Sequence, residues 1–288
     1  TGGLAREYTG SHGDSMDASK STEKIYHWYS DNMSTASSTS DGTQILDSSC
    51  FEKCEELQYV YIPKSVTTIV STAFRYSLKA DFEVEEGSKF VWKNSCLINT
   101  DTNSIVFGRK GCTFSNEYNI TLIEDHAFDQ VGFEGEIVLP ETLTTVGQSA
   151  FYNNIGITSI IFPVTLTRVS NFGFYKCSSN PLNLPPNLQI IEAYAFVDNN
   201  SIEQLIIPES VRQISTECFR GCPNMTYAKF ETSNFTANKP DNNTPHKTFL
   251  KNKNLTRIDV AWPTTIDGKV GEYTQDAPWG AGTDDSGK

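Results

Sequence analysis

Nothing in the 288 residues approaches the run of roughly 18 apolar residues that a membrane-spanning helix needs. Positive charge is also scarce. Lys and Arg number 23 against 35 Asp and Glu, a net charge of −12. A field of that sign repels phosphate and argues against nucleic acid and anionic membranes as partners. The seven Cys are too few for a disulfide scaffold, their odd number leaves one thiol unpaired within the chain, and no two stand in Cys-x-x-Cys spacing. A zinc or thioredoxin-like motif is thereby excluded. The four histidines, His12, His27, His126 and His246, fall at no metal-ligand or HExxH spacing. A Gly-rich phosphate loop is missing. Gly at 19 and Pro at 12 are ordinary, so the chain is neither collagen-like nor broadly disordered. The start, TGGLAREYTGSHGDS, has no initiator Met and no apolar stretch, as expected of a mature or trimmed form.

What the sequence does hold is a repeat. Phe recurs at positions 51, 74, 128, 151, 174, 196, 219 and 249, with gaps of 23, 54, 23, 23, 22, 23 and 30. The two long gaps read as one period plus an insertion. Five residues before the Phe stands an aliphatic: Leu46, Ile69, Ile123, Val146, Val169, Ile191 and Ile214. Eight before it come Val66, Ile120, Leu143, Leu166, Leu188 and Val211, and eleven before it Pro63, Pro140, Pro163, Pro185 and Pro208. Upstream of each Pro is an alternating apolar pair, such as Val60/Ile62, Ile137/Leu139, Ile160/Phe162, Leu182/Leu184 and Leu205/Ile207.

The spacings dictate the physics of one unit. A pair at period two shares one face of a short strand. Pro donates no N–H, so it ends the ladder and turns the chain. Aliphatics three apart and a closing Phe then suit a loose or 3₁₀-like turn pointing inward. One unit cannot bury its apolar face alone, and stacking units side by side makes a parallel sheet over one core, a solenoid.

The segments LQYVYIPKSVTTIVSTAF, IVLPETLTTVGQSAF, ITSIIFPVTLTRVSNFGF and IEQLIIPESVRQISTECF resemble the BspA-like leucine-rich repeat. FEVEEGSKFVWKNSCLINTDTNSIVFGRKG resembles the hairpin insertion such arrays often carry, and DAPWGA resembles their usual end. The resemblance implies an α/β-type repeat solenoid: a leucine-rich-repeat right-handed superhelix with a parallel β-sheet of short strands, a 22–23-residue period and one β-hairpin insertion. Expected along the chain are a flexible leader (1–24), an N-terminal cap (25–42), the array (43–262) and a C-terminal cap and tail (263–288). Trp262 and Trp279 read as cap residues. Within the array, a hairpin insertion is expected at about 85–118, from the apolar runs Val91–Ile98 and Ser104–Phe107 around NTDTN, and a surface loop at about 231–248.

Chemistry finds no foothold in these motifs. Cys50 and Cys218 stand where other units place Ala73, Ala127, Ala150, Gly173 or Ala195, and Cys54, Cys177 and Cys222 each follow a repeat Phe by three residues. All read as small buried fillers. Cys96 and Cys112, in the insertion, either pair with each other or stay free. The carboxylates Glu83, Glu85, Glu86, Asp284 and Asp285 read as solvated surface, and no catalytic, cofactor-binding or metal-ligating residue is assigned. Asn-x-Ser/Thr triplets begin at Asn32, Asn119, Asn199, Asn224, Asn234, Asn242 and Asn254 and would accept glycans only in a host that glycosylates secreted proteins.

The candidate site is the outward face of the strands, carrying Tyr59, Tyr61, Val138, Ile161, Asn183, Gln204, Ile206, Tyr227, Lys229 and Arg257. Tyr61, Val138, Ile161 and Ile206 are expected along one row, interrupted by Asn183. An exposed apolar row rimmed by polar groups suits protein binding, although β-propensity alone also puts Ile and Tyr on strands. The family resemblance implies a non-enzymatic, monomeric, cell-surface or secreted module. It would adhere to host, matrix or cell-surface proteins, without cofactor, nucleic acid or membrane insertion. The alternatives are a structural spacer in a larger surface protein, or a carbohydrate-binding protein or enzyme working through the insertions.

Overall fold

Most repeats of the computed structural model lay down two strands, not one. The structure describes residues 42–232 and 247–260, together with the backbone of the strands Leu4–Glu7, Tyr26–Tyr29, Thr35–Ser38 and Thr236–Ala237. Most of the expected N-terminal cap and of the 231–248 loop, and all of the expected C-terminal cap, lie outside the described residues. Inside the expected leader, Leu4–Glu7 pairs antiparallel with Tyr26–Tyr29. The chain forms two compact units, Thr1–Val131 and Gly132–Lys288.

In the first unit the apolar-x-apolar segment Leu57–Ile62 pairs in parallel with Thr35–Ser38 and Asp81–Val84, bringing Val60 opposite Phe82. Past Pro63 the chain turns and makes a second, two-residue parallel rung, Ile45–Leu46 against Thr68–Ile69. The same two ladders recur in the second unit. Glu134–Val138 pairs with Gly156–Ile161, and Gln204–Ile207 with Tyr227–Phe230 and then Arg257–Val260. The short rungs Thr145–Val146, Arg168–Val169, Ile190–Ile191 and Gln213–Ile214 stack in order. These rungs stand where the spacing predicts a loose turn. The correction has a simple cause: the aliphatic five before each Phe sits in the second position of a rung and points inward, too short a run to show period two. The fold is a leucine-rich-repeat β-solenoid with a period of about 23 and almost no helix. Among the described residues the one helical turn is the 3₁₀ segment Asn116–Tyr118.

The repeat Phe side chains are all between 0 and 3% exposed and form the spine of each core. Phe51 stacks on Phe74 at 5.2 Å, and Phe151, Phe174, Phe196 and Phe219 follow one another at 5.1, 5.6 and 5.3 Å with rings within 10° of parallel. A period of 23 puts like on like, so the rings meet face to face with an offset.

The insertion is a three-stranded meander, not a single hairpin. Phe90–Lys93 and Cys96–Asn99 are antiparallel across Asn94 and Ser95, whose φ of 49° and 62° are those of a primed two-residue turn. The apolar run Val91–Ile98 is therefore two strands. Ser104–Gly108 pairs back on Cys96–Asn99 and then in parallel with Leu122–Ile123, so its Ile105 acts as the rung partner of Ile123. Gly108 has no substitute there, because an added Cβ would lie inside the Phe128 ring. A disulfide joins Cys96 to Cys112 across 16 residues of sequence, a loop closure that stabilises by about 3 kcal/mol in chain-entropy terms.

Candidate protein-binding face

Residues that alternate with the buried strand positions point away from the core. In the first unit Tyr59 stands opposite Asp81 and Tyr61 opposite Glu83. Both tyrosines are half-buried. Tyr59 donates its hydroxyl to Glu83, and Tyr61 hydrogen-bonds Glu85. Glu85 is held below the usual carboxylate range first by hydrogen bonds from Lys64. The insertion reaches this face too: Trp92 Nε1 donates to Asp81 at 3.1 Å, and the Arg109 guanidinium pairs with Asp81 while lying 5.5 Å from the Trp92 ring. The first unit thus presents hydroxyls and carboxylates in place of an apolar row.

The second unit is different. Val138 stands directly opposite Ile161, and the pair is 56% and 46% exposed. Ile206 is 47% exposed. Asn183 is set opposite Ile206 through the bridge Leu182–Leu205, but between Ile161 and Asn183 no strand ladder forms. Pro181 withdraws an N–H group that a ladder there would need, so the row, already expected to be interrupted at Asn183, is cut into a pair and a single residue. Gln204 is exposed in the same strand as Ile206.

Tyr227, Lys229 and Arg257 are largely spoken for. Tyr227 donates to Asp259 Oδ2 at 2.9 Å, Arg257 grips the same carboxylate from Nε and a terminal nitrogen at 2.9 and 2.7 Å, and its guanidinium lies 5.4 Å from the Tyr227 ring. Arg257, then Tyr227, hold the Asp259 carboxyl below its ordinary value. Lys229 pairs with Glu231 at 2.8 Å. These charges neutralise one another on the face.

Two clusters on the Phe-bearing turns were not visible in the linear pattern. Asp129, with a 1% exposed side chain, takes Arg75 at 2.7 Å, Tyr76 at 3.2 Å and His126 at 3.2 Å on one oxygen. Tyr152 stacks on Tyr175 at 4.5 Å and Phe172 on Tyr194 at 4.8 Å, with Phe172 and Tyr194 at positive φ. The available signal was aromatic residues one after, and two before, the repeat Phe in neighbouring units. Both clusters brace adjacent turns.

The cysteines prove to be more than fillers. The position three after the Phe reaches back to the previous repeat: Cys177 Sγ to the Phe151 carbonyl at 3.1 Å, Cys222 Sγ to Phe196 at 3.5 Å. Asn199 Nδ2 donates in the same way to Phe174 and Asn252 Nδ2 to Phe219, each at 3.0 Å, and Ser77 to Phe51. This row satisfies carbonyls that would otherwise be buried without a donor. Asn199, fully buried, therefore heads a glycosylation triplet with no room for a glycan in the folded chain. Burial pushes the Cys177 and Cys222 thiols up to about 12 and raises that of Cys218 as well. In native protein at pH 8, a thiol reagent should label half-exposed Cys54 and leave Cys177, Cys218 and Cys222 untouched until denaturant is added. Fast native labelling of several thiols would contradict this burial.

Among the described residues no group of three or more His, Cys, Asp or Glu could hold a metal ion, and no helix is long and apolar enough to cross a membrane.

The BspA type Leucine rich repeat region family matches residues 14–120 and 121–256, in six copies. The chain belongs to the BspA-type leucine-rich-repeat family. No curated protein matches it. Solved structures similar to this BspA-type chain include a leucine-rich-repeat protein of T. pallidum, with 18% identity over 62% of this chain and 82% of that one and a TM-score of 0.45. A leucine-rich cell surface protein of Faecalibacterium prausnitzii shows 16% identity over 82% of this chain and 63% of its own, with a TM-score of 0.49. A leucine-rich-repeat protein of Bacteroides ovatus shows 17% over 89% and 75%, at 0.44. BspA-type arrays are protein-interaction repeat modules, and their family is typically non-enzymatic.

Proposed function

We propose that this BspA-type array is a non-enzymatic, cell-surface or secreted adhesion module that grips a protein through the outward face of its long strands. One observation carries the reading. Three branched aliphatics, Val138, Ile161 and Ile206, stand about half exposed on the outer side of the second unit's ladders, where nothing in the core needs them. Apolar side chains held on a rigid strand give a partner anchor points at little entropic cost. The family and the cell-surface description of the Faecalibacterium prausnitzii protein support display outside the cell. Asn183 and Gln204 supply polar rim contacts, and Tyr59 and Tyr61 offer a second, hydroxylated patch on the first unit.

The test is a pull-down of matrix and cell-surface proteins by the full chain, beside Val138→Ser/Ile161→Ser/Ile206→Ser. Loss of a specific partner by a variant with unchanged circular dichroism is the expected result. Equal retention by both forms would sink the strand-face reading. Capture of nothing by either would leave the spacer reading ahead.

A further inference from the structure

We infer that the segment this face accepts is basic, with Lys or Arg flanking apolar anchors; the inference rests on the strand face being the binding site. The carboxylates around the three aliphatics are its basis. Glu136 lies two residues before Val138 on the same outward side, its Oε2 accepts a hydrogen bond from Ser159 at 3.2 Å, and it has no ion-pair partner among the described residues. Glu203 and Glu209 are exposed at the two ends of the strand that carries Ile206. The Glu203 carboxylate accepts from the side-chain amide of Asn180 at 3.5 Å, and among the described residues neither it nor Glu209 has an ion-pair partner. The two cations on the outward rows are already matched, Lys229 by Glu231 and Arg257 by Asp259.

The face therefore combines apolar anchors with the Glu136 carboxylate and is flanked by those of Glu203 and Glu209, none of them in an ion pair among the described residues. An acidic or neutral partner would bury those charges against like charge or against nothing, which is costly. A basic partner pairs with them, and the net charge of −12 draws it in from a distance. The complementary ligand is an extended protein segment in which branched or aromatic side chains alternate with Lys or Arg.

Three labelled peptides of about 10 residues, each long enough at about 3.3 Å per residue to cross the face, provide the test. They alternate Leu with Lys, with Thr or with Glu. Binding to the full chain is read by fluorescence anisotropy at about 0.05 M and about 0.5 M NaCl, where the screening length falls several-fold. The Lys–Leu peptide should bind best and weaken with salt. Glu136→Gln/Glu203→Gln/Glu209→Gln should weaken it about tenfold, since each exposed pair contributes a factor of about two to three. Glu55→Gln/Glu56→Gln/Glu86→Gln, the same charge change on the first unit, should leave it unaltered. If the Thr–Leu peptide binds as tightly and is lost only with Val138→Ser/Ile161→Ser/Ile206→Ser, the basic-partner inference is overturned while the strand face stands. If the Lys–Leu peptide binds all variants alike, or binds none, the inference falls together with the face.

Discussion

Phe174→Ala should lower the stability of the protein by about 3–5 kcal/mol, the range for deleting a fully buried aromatic whose cavity does not collapse. Phe174 is 0% exposed. Its ring stacks on Phe151 at 5.1 Å and Phe196 at 5.6 Å, and meets Phe162 edge-on at 5.4 Å. Both repeat interfaces of its unit lose packing at once. In a solenoid, stability is close to a sum of repeat and nearest-neighbour terms, so this loss is not diluted over a distant core. The backbone around Phe174 is pinned by rungs above and below, through Phe151 N to the Gly173 carbonyl and Phe174 N to the Ala195 carbonyl, which limits collapse into the void. Phe174→Leu keeps most of the volume and should cost well under half as much. Urea denaturation followed by circular dichroism measures both. A loss below about 1 kcal/mol for Phe174→Ala would mean that the Phe spine does not hold the array.

Asp129→Asn is the second large effect, expected at about 3 kcal/mol, the low end for breaking a buried ion pair because Arg75 keeps some solvent. The carboxylate collects donors from Arg75, Tyr76 and His126 on Oδ2, while Oδ1 has no partner among the described residues. Glu52 approaches Arg75 from the other side at 3.8 Å, and Gln130 donates to the Tyr76 hydroxyl. An Asn amide would turn an N–H₂ or a weaker acceptor toward that donor set. The sign with pH follows from the direction of the shift. Burial pushes the Asp129 carboxyl up, but the His126 hydrogen bond, the Arg75 charge and hydrogen bonds, and Gln130 outweigh it and hold the group below the ordinary carboxylate value. A depressed native pKa means stability that is fully present above the unfolded value of about 3.9 and lost as pH falls through the native one. The gap between the wild type and Asp129→Asn should therefore be constant from pH 7 to about pH 5 and close below about pH 4. A gap of the same size at pH 3 would remove the carboxylate from the explanation.

The recurrence of Phe, Pro and the inward aliphatics determined the solenoid, its period and its core, because every unit must place the same side chain at the same height for neighbours to stack. The outward alternation was equally legible: Val138, Ile161 and Ile206 emerge about half exposed where the two-residue period puts them. Periodicity says nothing about what an outward residue meets next. Only the three-dimensional register showed Tyr59 bound to Glu83, Arg257 and Tyr227 closed on Asp259, and Pro181 breaking the row between Ile161 and Asn183. The second ladder is not legible in the sequence because two residues carry no period. The union of Cys96 with Cys112, and of Arg75 with Asp129 across 54 positions, depends on how an insertion folds back, which spacing alone leaves open. Phase along the chain fixes what faces inward, whereas partners between repeats are set by side-chain reach across strands, and that is a property of the folded state.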